Sequence, residues 1–220
     1  TLRTNLEFSG RGRKVISVTS CTPNEGKTSV SFQLALSIAE GGKRVVLVDA
    51  DLRKSVLKGR YKTNASRYGL SHYLSGQASI QDITCRTNIE NFFVIFSGPV
   101  PPNPSELLGN DAFRLLLEYL RNEYDYVIVD TPPLGSVIDG AVAAQYCDGT
   151  VVVIESGAIS YKFAQKVKEQ LEKVDCRILG VILNKVNMSG KGYYGAYYGK
   201  YYGKYYGKYY GGNEEGGLHS

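Results

Sequence analysis

Residues 14–28 read KVISVTSCTPNEGKT, and the fold follows from how this stretch is built. It opens with a short apolar run, residues 14–19, which is rich in β-branched side chains and typical of a buried strand. A polar loop follows, and its closing GKT leads into a helical pattern over residues 27–40. The stretch therefore predicts one strand–loop–helix unit with a tight, glycine-containing turn before the helix.

The loop fits the pattern GxxxxGKT except at its first glycine, where Cys21 stands. Backbone N–H groups in such a loop, together with the N-terminus of the helix, can surround phosphate oxygens. The Lys27 ammonium can reach the β- and γ-phosphates, and the Thr28 hydroxyl can bind Mg²⁺. The sequence therefore predicts a nucleotide-binding loop. Its candidate contacts are Pro23, Asn24, Glu25, Gly26, Lys27, Thr28 and Ser29.

Strands and helices continue to alternate after this unit. The later apolar runs are continuous rather than alternating, which indicates strands that are covered on both faces. These runs lie at residues 44–48, 92–96, 126–129, 150–154 and 178–183, and further helical stretches lie at 105–121, 136–146 and 159–174. We therefore predict an α/β fold of the P-loop NTPase type, a mainly parallel β-sheet with helices on both faces. Such sheets bind ligands at the carboxyl ends of their strands.

Three aspartates follow these strands at the edge where a ligand is expected. Asp49 and Asp51 come after the second run, and Asp130 ends the run YVIVD. A carboxylate at the end of a buried strand is costly to desolvate without a cationic partner. P-loop enzymes supply that partner as Mg²⁺, which a loop hydroxyl and an aspartate hold together. We therefore expect Thr28, Asp51 and Asp130 to bind the metal, although Asp49 and Asp51 also fit a polar capping loop.

The composition changes abruptly near residue 188. Residues 190–212 hold ten Tyr, eight Gly, four Lys and one Ala in repeats of Tyr-Tyr-Gly-x. Glycine at every fourth position disfavours a helix, and no Val, Ile or Leu is present to build a core. We therefore predict a folded domain over residues 1–188 and a disordered tyrosine-rich tail over residues 189–220.

Overall composition excludes several classes of protein. The formal net charge of +5 over 220 residues is too mild to argue for nucleic-acid binding. No run of apolar residues is long enough to span a bilayer. The four cysteines are widely spaced without a CxxC pair, so we expect thiols rather than a disulfide framework or a zinc site.

Taken together, these motifs resemble the bacterial tyrosine kinases (BY-kinases) of capsule and exopolysaccharide systems. Residues 20–28 resemble the Walker A motif of that family, residues 47–53 its Walker A′ motif and residues 128–133 its Walker B motif. The proline-rich stretch SGPVPPNPSELL at residues 97–108 and the tyrosine cluster also match. The resemblance covers essentially the whole chain.

The resemblance implies an ATP- and Mg²⁺-dependent protein-tyrosine kinase that regulates polysaccharide synthesis and export. Lys27, Asp49, Asp51 and Asp130 would be its catalytic residues, with Asp49 as our choice for the base that accepts the tyrosine proton. Asn184 matches a position where related ATPases read adenine, and it equally fits a cap at a strand end. The tail of a neighbouring subunit would be the main substrate. Its acceptors would be Tyr193, Tyr194, Tyr197, Tyr198, Tyr201, Tyr202, Tyr205, Tyr206, Tyr209 and Tyr210.

The resemblance also implies partners and a location. The expected partners are a membrane activator of the polysaccharide co-polymerase type (fused or separate), other protein-tyrosine substrates and a cognate phosphatase. The subunits would form a ring through an N-terminal ExxRxxR helix, of which Arg3 would be the last arginine. Arg53 and Lys54 would be either a solvated basic surface or part of the contact with the activator. The kinase would lie in the cytoplasm at the inner face of the bacterial cell membrane.

Two other functions fit parts of the sequence. One is a MinD/ParA-like ATPase, although Thr22 stands where those proteins carry a second, signature lysine. The other is a nucleotide-binding regulator without catalysis, although such a protein would be expected to have lost Lys27 or an aspartate. The reaction product distinguishes them from a kinase, because only a kinase makes phosphotyrosine.

Overall fold

The computed structural model describes residues 2–8, 12–60 and 67–187 of the chain, and Thr1–Asn184 group into one compact unit. The predicted tail and all ten candidate acceptor tyrosines lie outside the described residues. The domain boundary at residue 188 therefore stays a prediction.

The described residues form a seven-stranded sheet in the order β3-β4-β2-β5-β1-β6-β7. The strands are β1 Val15–Ser20, β2 Val45–Asp49, β3 Thr84–Arg86, β4 Phe92–Ile95, β5 Tyr126–Asp130, β6 Gly149–Glu155 and β7 Ile178–Asn184. All neighbouring strands are parallel except β3 and β4, which pair in antiparallel fashion at one edge. The predicted fold class is confirmed.

Helices connect the strands. They are α1 Leu2–Phe8, α2 Lys27–Glu40, α3 Leu57–Arg60, α4 Leu70–Leu74, α5 Ile80–Ile83, α6 Pro104–Leu108, α7 Asp111–Glu123, α8 Asp139–Ala144 and α9 Tyr161–Glu172. The prediction of a single helix over residues 105–121 is wrong, because α6 ends at Leu108 with Gly109 as its C-cap, and α7 begins at Asp111. Asn110 caps α7, since its side chain accepts a hydrogen bond from the Phe113 N–H. No helix within the described ranges is long and apolar enough to cross a bilayer.

The continuous apolar runs lie in the middle of the sheet, as their composition predicts. Successive side chains of one strand enter the cores on opposite faces: Val15 packs with α7 on one face, and Ile16 packs with α2 on the other. Every residue of β1 and β2 is buried. Both faces therefore need apolar side chains, which explains why these strands show no alternation.

The strand order brings the carboxyl ends of β2, β5 and β1 side by side. Asp49 at the end of β2 lies in register with Asp130 at the end of β5, and Asp130 also pairs with Val18 of β1. The loop from β1 to α2 leaves the sheet at the same edge. Three candidate site segments thus meet because of the topology, although they are far apart in sequence.

Backbone hydrogen bonds hold the loop that follows β4 against the start of α4. The Leu70 N–H donates to the Phe96 carbonyl at 2.7 Å, and the Ser71 N–H donates to the Ser97 carbonyl at 2.9 Å. A Cβ at Gly69 would lie 2.5 Å from the backbone nitrogen of Gly98, which is too close for any side chain. The start of the proline-rich stretch is therefore pinned against the start of α4 by backbone contact.

We expect Gly69→Ala to lower the free energy of unfolding by about 1–3 kcal/mol, because the new methyl group must push two backbones apart. Gly180→Ala is a matched control, since a Cβ there would meet nothing within 4 Å. Urea unfolding of both variants checks the prediction. Equal stability of the two would show that the segments can separate freely.

Candidate active site

The loop between β1 and α2 is shaped by two left-handed residues. Asn24 has φ of 67° and Gly26, at the N-terminus of α2, has φ of 95°. A Cβ at Gly26 would also lie 2.3 Å from the side-chain nitrogen of Asn184. Only glycine fits there, because both the backbone angle and the close approach exclude a side chain.

Cys21 stands at the first glycine position of the motif without disturbing the loop. It is completely buried and packs with Leu134, and its carbonyl accepts a hydrogen bond from the Gly135 N–H. Burial, aided by the charge of Glu25, raises the pKa of its thiol to about 11. Cys21 is therefore a protonated core residue and not a nucleophile.

Glu25 and Asn184 brace the loop from inside the protein. The Glu25 carboxylate, which is 1% exposed, accepts hydrogen bonds from the Thr22 N–H at 2.7 Å and from the Glu155 N–H at 3.1 Å. The side-chain amide of Asn184 donates to the Glu25 carbonyl at 2.8 Å. These bonds tie the loop to the ends of β6 and β7. The sequence indicated Glu25 and Asn184 as nucleotide contacts but did not reveal this bracing.

Lys27, the first residue of α2, lies between two carboxylates. Its ammonium is 3.1 Å from Oδ2 of Asp51 and 3.8 Å from Oδ1 of Asp130, and it donates to the Thr28 hydroxyl at 3.4 Å. Burial alone would lower the pKa of Lys27, but the charges of Asp130 and Asp51 outweigh burial and raise it. The lysine therefore stays charged, and the structure brings together four of the predicted site residues.

Asp130 is the deepest of the acids, at 1% exposed. The Ser31 hydroxyl donates to its Oδ1 at 3.1 Å, whereas its Oδ2 is buried without a hydrogen-bond partner among the described residues. Burial raises the pKa of Asp130, and the charge of Lys27 opposes that shift. Ser31 is a site residue that the motifs missed; its spacing of four from Lys27 on α2 was the available signal.

Asp49 has a different environment. Its Oδ1 accepts a hydrogen bond from the Asp51 N–H at 3.4 Å, and its Oδ2 accepts one from the Ser55 hydroxyl. Burial, strengthened by the nearby negative charge of Asp130, raises its pKa to about 7. A carboxyl group with that pKa can take up a proton near neutral pH. Ser55, which favours the ionised form, is a second residue that the sequence did not indicate.

The acids fit Mg²⁺ as one component of a larger complex. Within the described ranges, no group of three or more His, Cys, Asp and Glu side chains is arranged to hold a metal ion. Mg²⁺ usually keeps several waters and is bound by one or two carboxylates together with substrate phosphates. The unpaired Oδ2 of Asp130 is a ligand of the type that such a hydrated ion needs. Thr28 and Asp51 lie around the same lysine.

Comparison with known proteins decides the family. Residues 13–180 match the AAA domain family. The chain is 46% identical over 188 residues to tyrosine-protein kinase CpsD of Streptococcus agalactiae, covering 86% of this chain and 82% of that protein. The chain belongs to the bacterial tyrosine-protein kinase family. Its membership confirms the sequence-based expectation of a protein-tyrosine kinase.

Solved structures agree with this assignment. The kinase domain of Escherichia coli tyrosine kinase ETK superposes with a TM-score of 0.80 at 36% identity, covering 87% of this chain and 77% of that chain. MinD from Pyrococcus horikoshii, solved in complex with Mg-ADP, has a TM-score of 0.66 at 26% identity, covering 82% of this chain and 72% of that chain. The tyrosine kinases and the MinD ATPases therefore share a P-loop fold, and this kinase is nearer to the former.

The raised pKa of Asp49 predicts how the stability of this kinase depends on pH. Because the pKa rises from 3.8 to about 7 on folding, the folded chain binds this proton more tightly than the unfolded chain does. The free energy of unfolding should therefore fall as the pH rises across that interval. Asp49→Asn has no titratable group at this position and therefore no pH-dependent loss of stability from it. Its free energy of unfolding relative to the unmodified chain should thus increase steadily as the pH rises across the same interval.

Urea unfolding in EDTA without nucleotide measures this effect. Ser55→Ala is the matched variant: it removes the hydrogen bond that favours the carboxylate, so the loss of stability should extend to higher pH. Parallel pH curves for Asp49→Asn and the unmodified chain would mean that Asp49 keeps an ordinary pKa when folded.

Proposed function

We propose that this kinase uses Mg²⁺ and ATP to phosphorylate the tyrosine cluster of a neighbouring copy, in the service of capsule or exopolysaccharide synthesis. The supporting observation is the position of Lys27, a buried ammonium held between Asp51 and Asp130 where three strand ends meet. Phosphoryl transfer depends mainly on positioning and on charge stabilisation, and this cluster supplies both.

The residues divide the work as follows. Backbone N–H groups of residues 24–29, at the N-terminus of α2, hold the phosphates, and Lys27 stabilises the charge that develops on the transferred group. Thr28, Asp51 and Asp130 would hold Mg²⁺, which would neutralise negative charge on the phosphates. In the transfer step, the phenolic oxygen forms a bond to the γ-phosphorus, and the bond from that phosphorus to the β–γ bridging oxygen breaks. ADP leaves with the electron pair.

The phenol proton passes to Asp49. A phenol has a pKa of about 10, so an ordinary carboxylate is a poor acceptor for its proton. Asp49 is a better acceptor because burial and Asp130 raise its pKa to about 7. The raised pKa of Asp49 favours proton transfer late in the reaction, when the phenol becomes more acidic.

The composition of the tail supports its role as substrate. Tyrosines flanked by glycine are sterically open, and the segment from residue 189 to 220 carries four Lys against two Glu. Each phosphate adds about −1.5 to −2 charge, which would make the tail strongly negative. A negative tail is repelled by an acidic site, so phosphorylation would release the tail and loosen an assembly of subunits.

The same proposal includes the partners and the location of the kinase. The kinase would assemble as a homo-oligomer, work with a membrane activator at the inner face of the cell membrane, and be reset by a phosphatase. Arg3 makes its described bond within the chain: its guanidinium donates to the Ser37 carbonyl at 2.9 Å near the end of α2. The Arg3 guanidinium also lies 3.7 Å from the Glu7 carboxylate on the same helix.

Lys27→Met tests the catalytic site. We expect phosphotyrosine formation with MgATP to fall below detection, because the variant loses the cation that stabilises the transferred phosphoryl group. Lys168→Met is the matched control, since Lys168 is exposed on α9 and forms its ion pair there with the exposed Glu172. Anti-phosphotyrosine detection on both variants, with circular dichroism to verify folding, gives the result. Persistent labelling of a folded Lys27→Met chain would refute the assignment of the site, and release of phosphate without phosphotyrosine would favour a MinD-like ATPase.

A mixing experiment tests transfer between copies. One chain carries Lys27→Met with an intact tail, and the other carries an intact site with its ten tail tyrosines replaced by Phe. Neither chain alone should be labelled, whereas the mixture with MgATP should label the Lys27→Met chain. Mass spectrometry should place the phosphates between Tyr193 and Tyr210. Labelling by the unmodified chain but not by the mixture would show that each copy modifies only its own tail.

A further inference from the structure

Arg53 joins its own loop to helices α6 and α8, beside the carboxyl ends of the strands that carry the site. Its Nε donates to Oδ2 of Asp139 at 2.6 Å, and its Nη2 donates to Oδ1 of Asp139 at 3.2 Å. Nη2 also donates to the Ser105 hydroxyl at 3.3 Å, and that hydroxyl in turn donates to Oδ1 of Asp139. The three side chains form a closed triangle of hydrogen bonds, which we call the Arg53 clamp.

Each member of the Arg53 clamp lies in the segment that follows a different strand. Arg53 follows β2 and lies four residues after Asp49, Ser105 lies in α6 after β4, and Asp139 begins α8 nine residues after Asp130. The strands β4, β2 and β5 are consecutive neighbours in the sheet. The clamp therefore ties together the segments that follow these three strands, two of which carry the acids of the site.

Both acid-bearing segments are stiff enough to transmit the position of the clamp. Between Asp49 and Ser55 the loop is braced by its own carboxylates, since the Lys54 N–H donates to Oδ1 of Asp51 at 3.0 Å and the Ser55 hydroxyl donates to Asp49. On the other side, a Cβ at Gly140 would lie 2.7 Å from the Pro132 carbonyl. The start of α8 therefore presses directly on the turn that follows Asp130.

Stability alone is a weak reason for the clamp. Asp139 is completely buried, whereas the side chain of Arg53 is 43% exposed. Burying a charge is costly, and a buried ion pair often contributes little net stability compared with apolar side chains of similar size. A bidentate arginine–carboxylate pair does, however, fix the distance and the orientation of the two side chains.

We propose that Arg53 is a positioning residue, whose clamp with Asp139 and Ser105 holds Asp49 and Asp51 in place relative to Lys27 and Asp130. This inference rests on the proposed kinase function and deepens it. It also assigns to Arg53 a role other than a solvated basic surface or an activator contact. The described hydrogen bonds of Arg53 go to Asp139 and Ser105 and not to the acids of the site, so its effect would pass through the segment from Asp49 to Ser55.

The test compares Arg53→Gln with a matched clamp elsewhere in the protein. Arg121 makes a similar bidentate pair with Asp148, and both hydrogen bonds are 2.8 Å long. Asp148 also accepts hydrogen bonds from the backbone N–H groups of Lys14 and Val15. That pair lies at the amino-terminal end of β1, whereas the site lies at the carboxyl ends of the strands. Arg121→Gln therefore removes the same chemistry without touching the site.

At saturating MgATP, we expect Arg53→Gln to lower the maximal rate of tyrosine phosphorylation by about 10-fold or more, because small misplacements of catalytic groups are costly. Its Kd for ADP should be unchanged, since Glu25 and Asn184 hold the phosphate loop independently. Arg121→Gln should lose thermal stability but keep the maximal rate. Arg53→Lys should recover only part of the rate, because an ammonium cannot make both bonds in one plane.

Four results would overturn the inference. They are an unchanged rate in Arg53→Gln, an equal loss of rate in Arg121→Gln, full recovery in Arg53→Lys, and a parallel loss of ADP binding. If Arg53→Gln does not fold, Ser105→Ala replaces it, and this variant should lower the rate with ADP binding intact; an unchanged rate there would equally reject the clamp. Absence of labelling in the unmodified chain would instead reject the proposed function, and the inference with it.

Discussion

The buried ammonium of Lys27 is the interaction on which the site depends. It faces three aspartates, Asp49, Asp51 and Asp130, in a region where all four side chains are nearly inaccessible to water. Burial raises the pKa values of Asp49 and Asp130, and the neighbouring negative charges add to that shift because one ammonium faces three carboxyl groups. Lys27 favours the ionised forms of Asp49 and Asp130, so the pKa of each would rise further without it. A divalent cation would relieve the same excess of negative charge, which supports the proposed Mg²⁺ site.

The rest of the fold holds this cluster in place from its sides. Glu25 and Asn184 anchor the phosphate loop to β6 and β7, so that the backbone N–H groups and Lys27 keep a fixed direction. The Arg53–Asp139 pair links the segments after β2 and β5 that carry the acids. Each support is itself buried or bonded on several sides. Catalysis by charge stabilisation needs such preorganisation, because groups that must move into place lose much of their effect.

The sequence predicted the centre of the site better than its supports. Lys27, Asp51 and Asp130 could be brought together by one rule, that parallel strands end at the same edge of the sheet. The supports follow no comparable rule. Asn184 and Glu25 are 159 positions apart, and their contact depends on the path of β7. The break between α6 and α7 was likewise missed, since it depends on the Asn110 cap and on packing rather than on periodicity.

The environments of the three acids also support the proposal that Asp49, rather than its neighbours, accepts the tyrosine proton. Asp51 already uses one oxygen on Lys27 and the other on the Lys54 N–H. Asp130 lies beside Lys27 and Ser31, and its Oδ2 has no hydrogen-bond partner among the described residues, which supports its proposed role as a ligand of a hydrated cation. Asp49 is bonded only by the Ser55 hydroxyl and a long contact from the Asp51 N–H among the described hydrogen bonds. Both bonds can persist when Asp49 takes up a proton, because a carboxylic acid keeps acceptor capacity. The division of roles among three identical side chains thus follows from their partners and not from their chemistry.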